Sequence, residues 1–425
     1  MMLSSAARTE GAKGRASRGV NPYKSRMSVL VQKYGGTSVD GPERIRAVAR
    51  RVAGCRAAGH DLIVVVSAMG QTTDELLRLA RQVSAEPSRR ELDMLLTTGE
   101  RVSMALLAMA LEDCSVEAIS FTGSQSGILT DARHNDARIV GIRPERIRAE
   151  LDRGRVVIVA GFQGVNPESR EITTLGRGGS DTSAVALAAA LSGRCEIFTD
   201  VDGVLTADPR VVPQARVIPR ISYRVCSTLA HLGAQVLHAR GVDLAAAHHV
   251  PLVVRSSFGE GAGTEIVEDD VEGQVVQAVA DRADMSILIA EGTSGGRGEA
   301  RGILESVAAE YPALELVAHE QDTDAHGALV WIGSREDAAG LEREFRRLRG
   351  PGGEWRLTVT HGAAFVSLVG LGLGALEAAR GEAALERAGV PMVALRATPT
   401  ALIWRVASAD AAAATRALHA EFLER

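Results

Sequence analysis

Two short stretches combine glycine with charge. Lys33-Tyr34-Gly35-Gly36-Thr37-Ser38 sets a lysine ahead of a glycine pair. Thr173-Thr174-Leu175-Gly176-Arg177-Gly178-Gly179-Ser180-Asp181 wraps three glycines around an arginine. Glycine lets the backbone approach a ligand, and the free amides of a helix start attract an anion. An ammonium and a guanidinium suit phosphate and carboxylate, and the Asp181 carboxylate can position a reacting group or a metal. The chemistry on offer is the handling of phosphate and carboxylate groups. A glycine run alone would serve equally as a tight turn; the embedded Arg177 and Asp181 are what point to a ligand. Only three of the 48 basic residues are lysine, Lys13, Lys24 and Lys33. Chance could spare one lysine in so arginine-rich a chain, but the setting of Lys33 favours function. Lysine before glycine is not the order of a Walker A loop.

The surrounding elements alternate. Ser28–Gln32 reads as a buried strand and Pro42–Ala58 as a helix. A strand over Leu62–Val66 runs into the small-residue loop Ser67–Glu75, and helix resumes at Leu76. A helix over Arg89–Leu111 carries Thr97-Thr98-Gly99-Glu100-Arg101. A glycine inside a helix costs roughly 1 kcal/mol against alanine, so Gly99 marks a break or a close approach. Glu100 taken alone reads as an ordinary solvated residue. Strands at Ala118–Phe121 and Val156–Ala160 flank the polar segment Thr122–Asp136, and Gly161–Asn166 forms another loop at a strand end. The Thr173–Asp181 stretch opens a helix, with Ser180 or Asp181 as N-cap. A strand over Glu196–Thr199 leads into Asp200–Arg210, whose Asp and Gly also suit a plain surface turn. A helix over Cys226–His248 and a strand over Leu252–Ser256 complete an α/β unit. Its strand-end loops, rich in Gly, Ser, Thr and charge, lie where open α/β sheets bind ligands. From about Val275 the texture changes to two copies of a βαββαβ-like unit.

The 425 residues leave room for two or three domains. No apolar run is long enough to span a membrane. Four cysteines, Cys55, Cys114, Cys195 and Cys226, lack metal-like spacing and read as reduced thiols of a cytoplasmic protein. A net charge of −5 and 3% aromatic content argue against nucleic acid. Residues 1–26 are polar and basic with little to bury, so disorder is expected. They hold no secretory signal, and Met27 suits a translation start as well as Met1 does.

The motifs VQKYGGTSV (from Val31), SAMGQTTDEL (Ser67), TTGER (Thr97), SFTGSQSGILTD (Ser120), AGFQGVN (Ala160), TTLGRGGSDTSAVALAAAL (Thr173) and FTDVDGVLTADPRVVPQA (Phe198) resemble aspartate kinase. The match runs nearly unbroken from Val29 to Ser257. The remainder resembles, more loosely, the tandem ACT modules of that family. The resemblance implies a three-layer α/β/α amino-acid kinase domain over 27–265 with a mostly parallel sheet. Two α+β ferredoxin-like ACT modules would follow, over 275–350 and 361–425. It implies MgATP-dependent phosphorylation of the L-aspartate side-chain carboxylate, the first step of aspartate-family amino-acid biosynthesis or a specialised branch. A homodimer or higher oligomer through the ACT modules is implied as well.

The same resemblance assigns residue roles. Lys33, with the Gly35 and Gly36 amides, stabilises the transferring phosphoryl group. Arg177 grips the aspartate carboxylate beside Ser180, and Asp181 orients Lys33. Ser67, Thr73 and Glu100 contact substrate, Glu100 taking the α-ammonium. Thr199, Asp200, Leu205, Arg210 and Gln235 line the nucleotide site. Mg²⁺ bridges the ATP phosphates with few protein ligands, and no dedicated metal residue is assigned.

The departures fall on the nucleotide side. Gln235 stands where the family has a nucleotide-contacting lysine, with Arg240 as a nearby compensating charge. Leu205 replaces a tyrosine, and Arg224-Val225 replace acidic residues. The effector stretch of the first ACT module is absent, Glu315–Glu320 standing in its place, so weak or absent feedback by lysine and threonine is expected. Two alternatives stand beside an active kinase: a catalytically weak homologue acting as a regulatory partner, and a kinase for another amino-acid carboxylate. Intact Lys33, Arg177 and Asp181 favour activity; retained Thr73, Glu100 and Arg177 favour aspartate.

Overall fold

The computed structural model describes residues 29–234, 236–268, 275–293, 297–311, 314–321, 326–348 and 355–424. The tail 1–26 expected to be disordered, and Gln235, lie outside them. The first unit runs β1 (Leu30–Tyr34), α1 (Pro42–Ala57), β2 (Leu62–Val66), α2 (Thr72–Val83), α3 (Arg89–Leu96), α4 (Thr98–Asp113), β3 (Ala118–Phe121), β4 (Ile128–Thr130), β5 (Ile139–Ile142), α5 (Glu145–Asp152), β6 (Val156–Ala160), β7 (Gln163–Val165), β8 (Ile172–Thr174), α6 (Gly179–Leu191), β9 (Arg194–Thr199), β10 (Arg220–Ser222), α7 (Tyr223–His231), α8 (Ala239–Ala247), β11 (Leu252–Ser256) and β12 (Thr264–Val267).

Eight of these strands form one sheet in the order β10-β12-β11-β9-β1-β2-β6-β3. The apolar runs LIVVV and VVIVA are buried along their whole length, as strands covered on both faces must be. β1 pairs in parallel with β2 on one side and β9 on the other. The chain therefore leaves β1 in one direction and returns on its other flank, which opens a crevice at the strand C-termini. Two cores line the faces. One packs Val31, Ile63 and Val159 against the Ala-rich α6; the other packs Leu30, Val64 and Ile158 against α1 and α4. Inside the predicted polar segment sits a short strand, β4, belonging to a second sheet, β5-β4-β7-β8.

Several boundaries differ from the sequence reading for physical reasons. β1 extends through Lys33 and Tyr34, because the Tyr34 ring is fully buried and stacks on Phe198 with centroids 4.7 Å apart. The long helix over Arg89 breaks at Thr97 into α3 and α4. By length and composition Arg89–Asp113 would suffice to cross a membrane, contrary to the sequence reading. It is nevertheless two helices, carrying buried Asp93 and Glu100. The helix expected over Cys226–His248 is also two, α7 and α8. Gly233 separates them at φ 111°, where the backbone passes close to Asp281. All four cysteines are free thiols.

The second unit runs β13 (Val276–Thr293), α9 (Arg297–Glu310), β14 (Glu315–Gln321), β15 (His326–Gly333), α10 (Arg335–Leu348), β16 (Arg356–Gly370), α11 (Ala375–Arg387), β17 (Ala394–Thr398), β18 (Ala401–Ala407) and α12 (Ala411–Leu423). Both copies share one six-stranded sheet, β14-β15-β13-β16-β18-β17, joined through the antiparallel β13–β16 pair. The two halves of β13 serve different cores. Val276 and Val279 pack with Leu368 and Trp404, whereas Leu288 and Ala290 pack with Trp331 and Phe345. The second copy thus takes its first strand from a segment read in sequence as part of the first. The unit docks on the kinase-like domain at Thr206. The Thr206 backbone carbonyl accepts from Val279 N at 2.8 Å, and its hydroxyl lies 3.0 Å from buried His419 Nε2.

Candidate active site

The C-terminal ends of β1, β2, β6 and β9 lie along one sheet edge, and their loops interlock there. Lys33 is in register with Val65 on β2 and Ile197 on β9, near the end of each strand. Beyond it, Gly35 N donates to Phe198 O at 3.2 Å. A side chain on Gly36 would press on the carbonyls of Ala68 and Gly70, and Gly70 N donates back to Gly36 O. The 35–38 and 67–72 loops therefore hold each other, with Ser67 N donating to Tyr34 O at 3.1 Å. Thr73 sits in the first turn of α2, which begins four residues earlier than expected.

The central glycine stretch enters α6 differently from the sequence reading. The N-cap is Gly178, in the left-handed region at φ 66°, so Ser180 and Asp181 lie in the first turn. Glycine is required there: a Cβ would drive into the His238 ring. Asp181 Oδ1 meets Lys33 Nζ at 2.6 Å, with side-chain exposures of 10% and 12%. Ser180 is buried against Gly161 of the loop after β6. Arg177 is exposed at the tip of the loop, without an ion pair among the described residues.

Glu100 differs most from its sequence reading. It is 3% exposed, not solvated. Its Oε1 accepts from Ala68 N at 3.2 Å, while Oε2 is buried with no hydrogen-bond partner. Burial pushes its carboxyl up to about 7, against the pull of the Ala68 and Glu100 amides. Gly99 makes this possible. A Cβ there would sit 2.7 Å from Ala68 Cβ, so only glycine lets α4 approach the loop.

The nucleotide-side residues are more dispersed. Thr199 ends β9 and Asp200 follows it, and the Thr199 hydroxyl donates to Asp200 Oδ1 at 3.1 Å. Leu205 forms an isolated bridge with Val217. Arg210 is turned outward on Asp208 at 2.7 Å and is 78% exposed. Arg240 does not stand free as a substitute charge: it donates to the carbonyls of Leu175 at 2.8 Å and Ala137 at 2.6 Å. Its guanidinium braces the glycine stretch.

Two residues at the site escaped the sequence reading. Phe162 adopts φ 67°, uncommon for a bulky side chain; its N–H donates to Ser183 Oγ and its carbonyl accepts from Leu175 N. His238 packs on Gly178 with Nδ1 buried and unpartnered, and burial holds its imidazole below its usual pKa, against the pull of Asp181. The only signal for Phe162 was its place between Gly161 and Gln163. Nothing in the spacing linked His238 to a loop sixty residues earlier.

A lysine–aspartate pair at a glycine turn, a helix start and a loop with an exposed arginine lie on a doubly wound α/β sheet, and their chemistry suits small anions. Residues 28–256 match the profile described as the amino acid kinase family. The aspartokinase of Corynebacterium glutamicum is 43% identical over 406 residues, covering 93% of this chain and 96% of its own. That of Geobacillus stearothermophilus is 58% identical over 244 residues, 57% of this chain and 60% of its own. The solved aspartate kinase from Synechocystis superposes with a TM-score of 0.53 at 37% identity, over 93% of this chain and 69% of that one. Escherichia coli aspartokinase III, solved with aspartate and ADP, gives 0.77 over 93% and 100% of the two chains. Its 24% identity speaks for the fold alone. This chain belongs to the aspartokinases of the amino acid kinase family.

Proposed function

We propose that the protein transfers the γ-phosphoryl group of ATP to the side-chain carboxylate of L-aspartate. The observation that carries this reading is the buried, unpartnered Oε2 of Glu100 beside the anion-handling loops. A buried carboxylate oxygen without a partner is costly unless a ligand satisfies it. Here the fitting ligand is the α-ammonium of an amino acid. Exposed Arg177 then takes a carboxylate of the same molecule, with Ser180, Ser67 and Thr73 around it.

An oxygen of the substrate's side-chain carboxylate attacks the γ-phosphorus, the bond to the β,γ-bridging oxygen breaks, ADP leaves, and a mixed anhydride remains. Such a transfer needs positioning and charge neutralisation more than covalent help from the protein. Lys33, aimed by Asp181, supplies a fixed positive charge beside the Gly36 amide; the Gly35 amide, expected from the family motif to help, is already committed to Phe198 O. Thr199, Asp200, Leu205, Arg210 and Gln235 form the nucleotide side. Mg²⁺ travels with ATP as part of the substrate. Such an ion is held mainly by the phosphates and water, with few protein ligands. The free thiols suit a cytoplasmic enzyme. The C-terminal sheet is the proposed oligomerising surface, with weak or no response to lysine and threonine. Half-inhibition by either at low millimolar concentration would contradict that last point.

The test is hydroxamate trapping of the acyl phosphate with MgATP and L-aspartate, for the wild type and Lys33→Ala. Aspartyl hydroxamate that vanishes with Lys33→Ala supports the kinase. No product from the wild type, restored by Gln235→Lys, would make the protein a catalytically weak partner of another kinase.

A further inference from the structure

Asp93 is charged, lies in α3 outside the glycine loops, and is 0% exposed. It nevertheless collects donors from two distant parts of the chain. Oδ1 accepts from the Thr174 hydroxyl at 2.5 Å and from Asn135 N at 3.1 Å; Oδ2 lies 2.5 Å from His134 Nδ1. The Asn135 amide, turned to satisfy its surroundings, donates to Oδ1 as well, at 2.8 Å. Burial raises the Asp93 pKa, and the Thr174 and His134 contacts oppose that rise.

The location of these donors matters more than their number. Thr174 ends β8, three residues before Arg177. Asn135 belongs to the segment that packs on the glycine stretch, since a Cβ on Gly176 would lie 3.0 Å from Asn135 O. Ala137 N donates to Thr174 O at 2.9 Å, closing the same contact. On its own side, Asp93 accepts through its backbone carbonyl from Thr97 N at the α3–α4 break. Gly99 and Glu100 follow directly. One buried carboxylate thus ties the helix pair carrying Glu100 to the strand end from which the Arg177 loop departs.

We propose that Asp93 is a positioning residue for amino-acid binding. It fixes the separation between the Glu100 carboxylate and the Arg177 guanidinium, and so the span of the zwitterion the site accepts. This rests on the reading of Glu100 and Arg177 as the amino-acid grip. Positional errors of about 1 Å at such a grip are enough to cost orders of magnitude in rate. No group in direct contact with Asp93 is assigned to ATP, so its effect should fall on one substrate only.

The experiment measures the KM of both substrates and kcat for Asp93→Asn and Thr174→Val in the full-length chain. Thr174→Val keeps the side-chain volume and removes one donor; Thr174→Ser restores it. The expected result is a rise of about 10-fold or more in the KM for L-aspartate in both variants. The KM for ATP should stay within about 2-fold, and Thr174→Ser should recover the wild-type value. Should Asp93→Asn fail to fold, the valine and serine pair carries the test alone. Unchanged KM for L-aspartate in folded Thr174→Val, or equal loss for both substrates, would overturn the proposal. A wild type that makes no hydroxamate would instead overturn the kinase reading. Protection from thermal unfolding by L-aspartate then still reports binding, and its loss in Thr174→Val still tests the role of Asp93.

Discussion

Lys33 Nζ and Asp181 Oδ1 lie 2.6 Å apart, although 148 positions separate them in the chain. The lysine lies next to the end of a central strand and the aspartate in the first turn of a buried helix. Their pairing fixes the ammonium at the crevice where the strand order reverses. Lys33→Ala should lower kcat by about 10²–10³, the range seen when a preorganised charge donor to a transition state is removed. The KM for L-aspartate should change far less. Hydroxamate assays over both substrate concentrations check this split.

Glu100 should make aspartate binding depend on pH. Its carboxyl is pushed up to about 7 by burial, so below that pH the free enzyme holds it neutral and the substrate ammonium loses its counter-charge. The KM for L-aspartate should rise about tenfold per pH unit below 7. In the unliganded protein the sign for stability is the opposite. The folded pKa lies above the ordinary carboxylate value, so stability is fully present at low pH. It is lost as pH rises from about 4.5 to about 7. Glu100→Gln should flatten both dependences, raise the melting temperature at pH 8 without substrate, and raise KM. Melting curves and KM measured from pH 5 to 9 check both signs.

Gly99→Ala should act through a collision, because the new methyl would meet Ala68 Cβ at 2.7 Å. Overpacking of this kind costs about 1–3 kcal/mol. Pushing the loop away also breaks the Ala68 N to Glu100 Oε1 bond, so aspartate affinity should fall with stability. Adding Ala68→Gly makes room and should restore much of both. Denaturant titration of the single and double variants measures the coupling.

Gln235→Lys should raise ATP-dependent kcat/KM. A unit charge about 4 Å from a phosphate is worth roughly 1–4 kcal/mol depending on the dielectric, or about one to three decades. The gain should shrink with added salt. Steady-state kinetics with ATP varied at two ionic strengths check it. No gain at either would show that the site is built around glutamine.

The sequence by itself determined the class of the protein and the identity of its chemical groups. Glycine turns after apolar strands require close backbone approach, and a lysine, an arginine and an aspartate set among them have few other uses. Strand spans such as Leu62–Val66 and Val156–Ala160 were legible because continuous apolar runs must be covered on both faces. The family motifs then fixed the aspartokinase assignment. Helix ends were less legible: Gly178 rather than Ser180 or Asp181 caps α6, because the backbone turns left-handed against His238.

Burial and partnership were decided only in three dimensions. Glu100 looked solvated because a charged residue in a helix usually is; α4 buries it only because Gly99 lets the helix approach Ala68. Arg240 looked like a spare charge, but it is committed to the carbonyls of Leu175 and Ala137. Asp93 gave no signal, since its donors at positions 134, 135 and 174 arrive through a second sheet that the pattern did not reveal. Side-chain chemistry is local and can be read along a chain. Whether a charge is hidden, and against what, depends on packing between segments far apart in sequence.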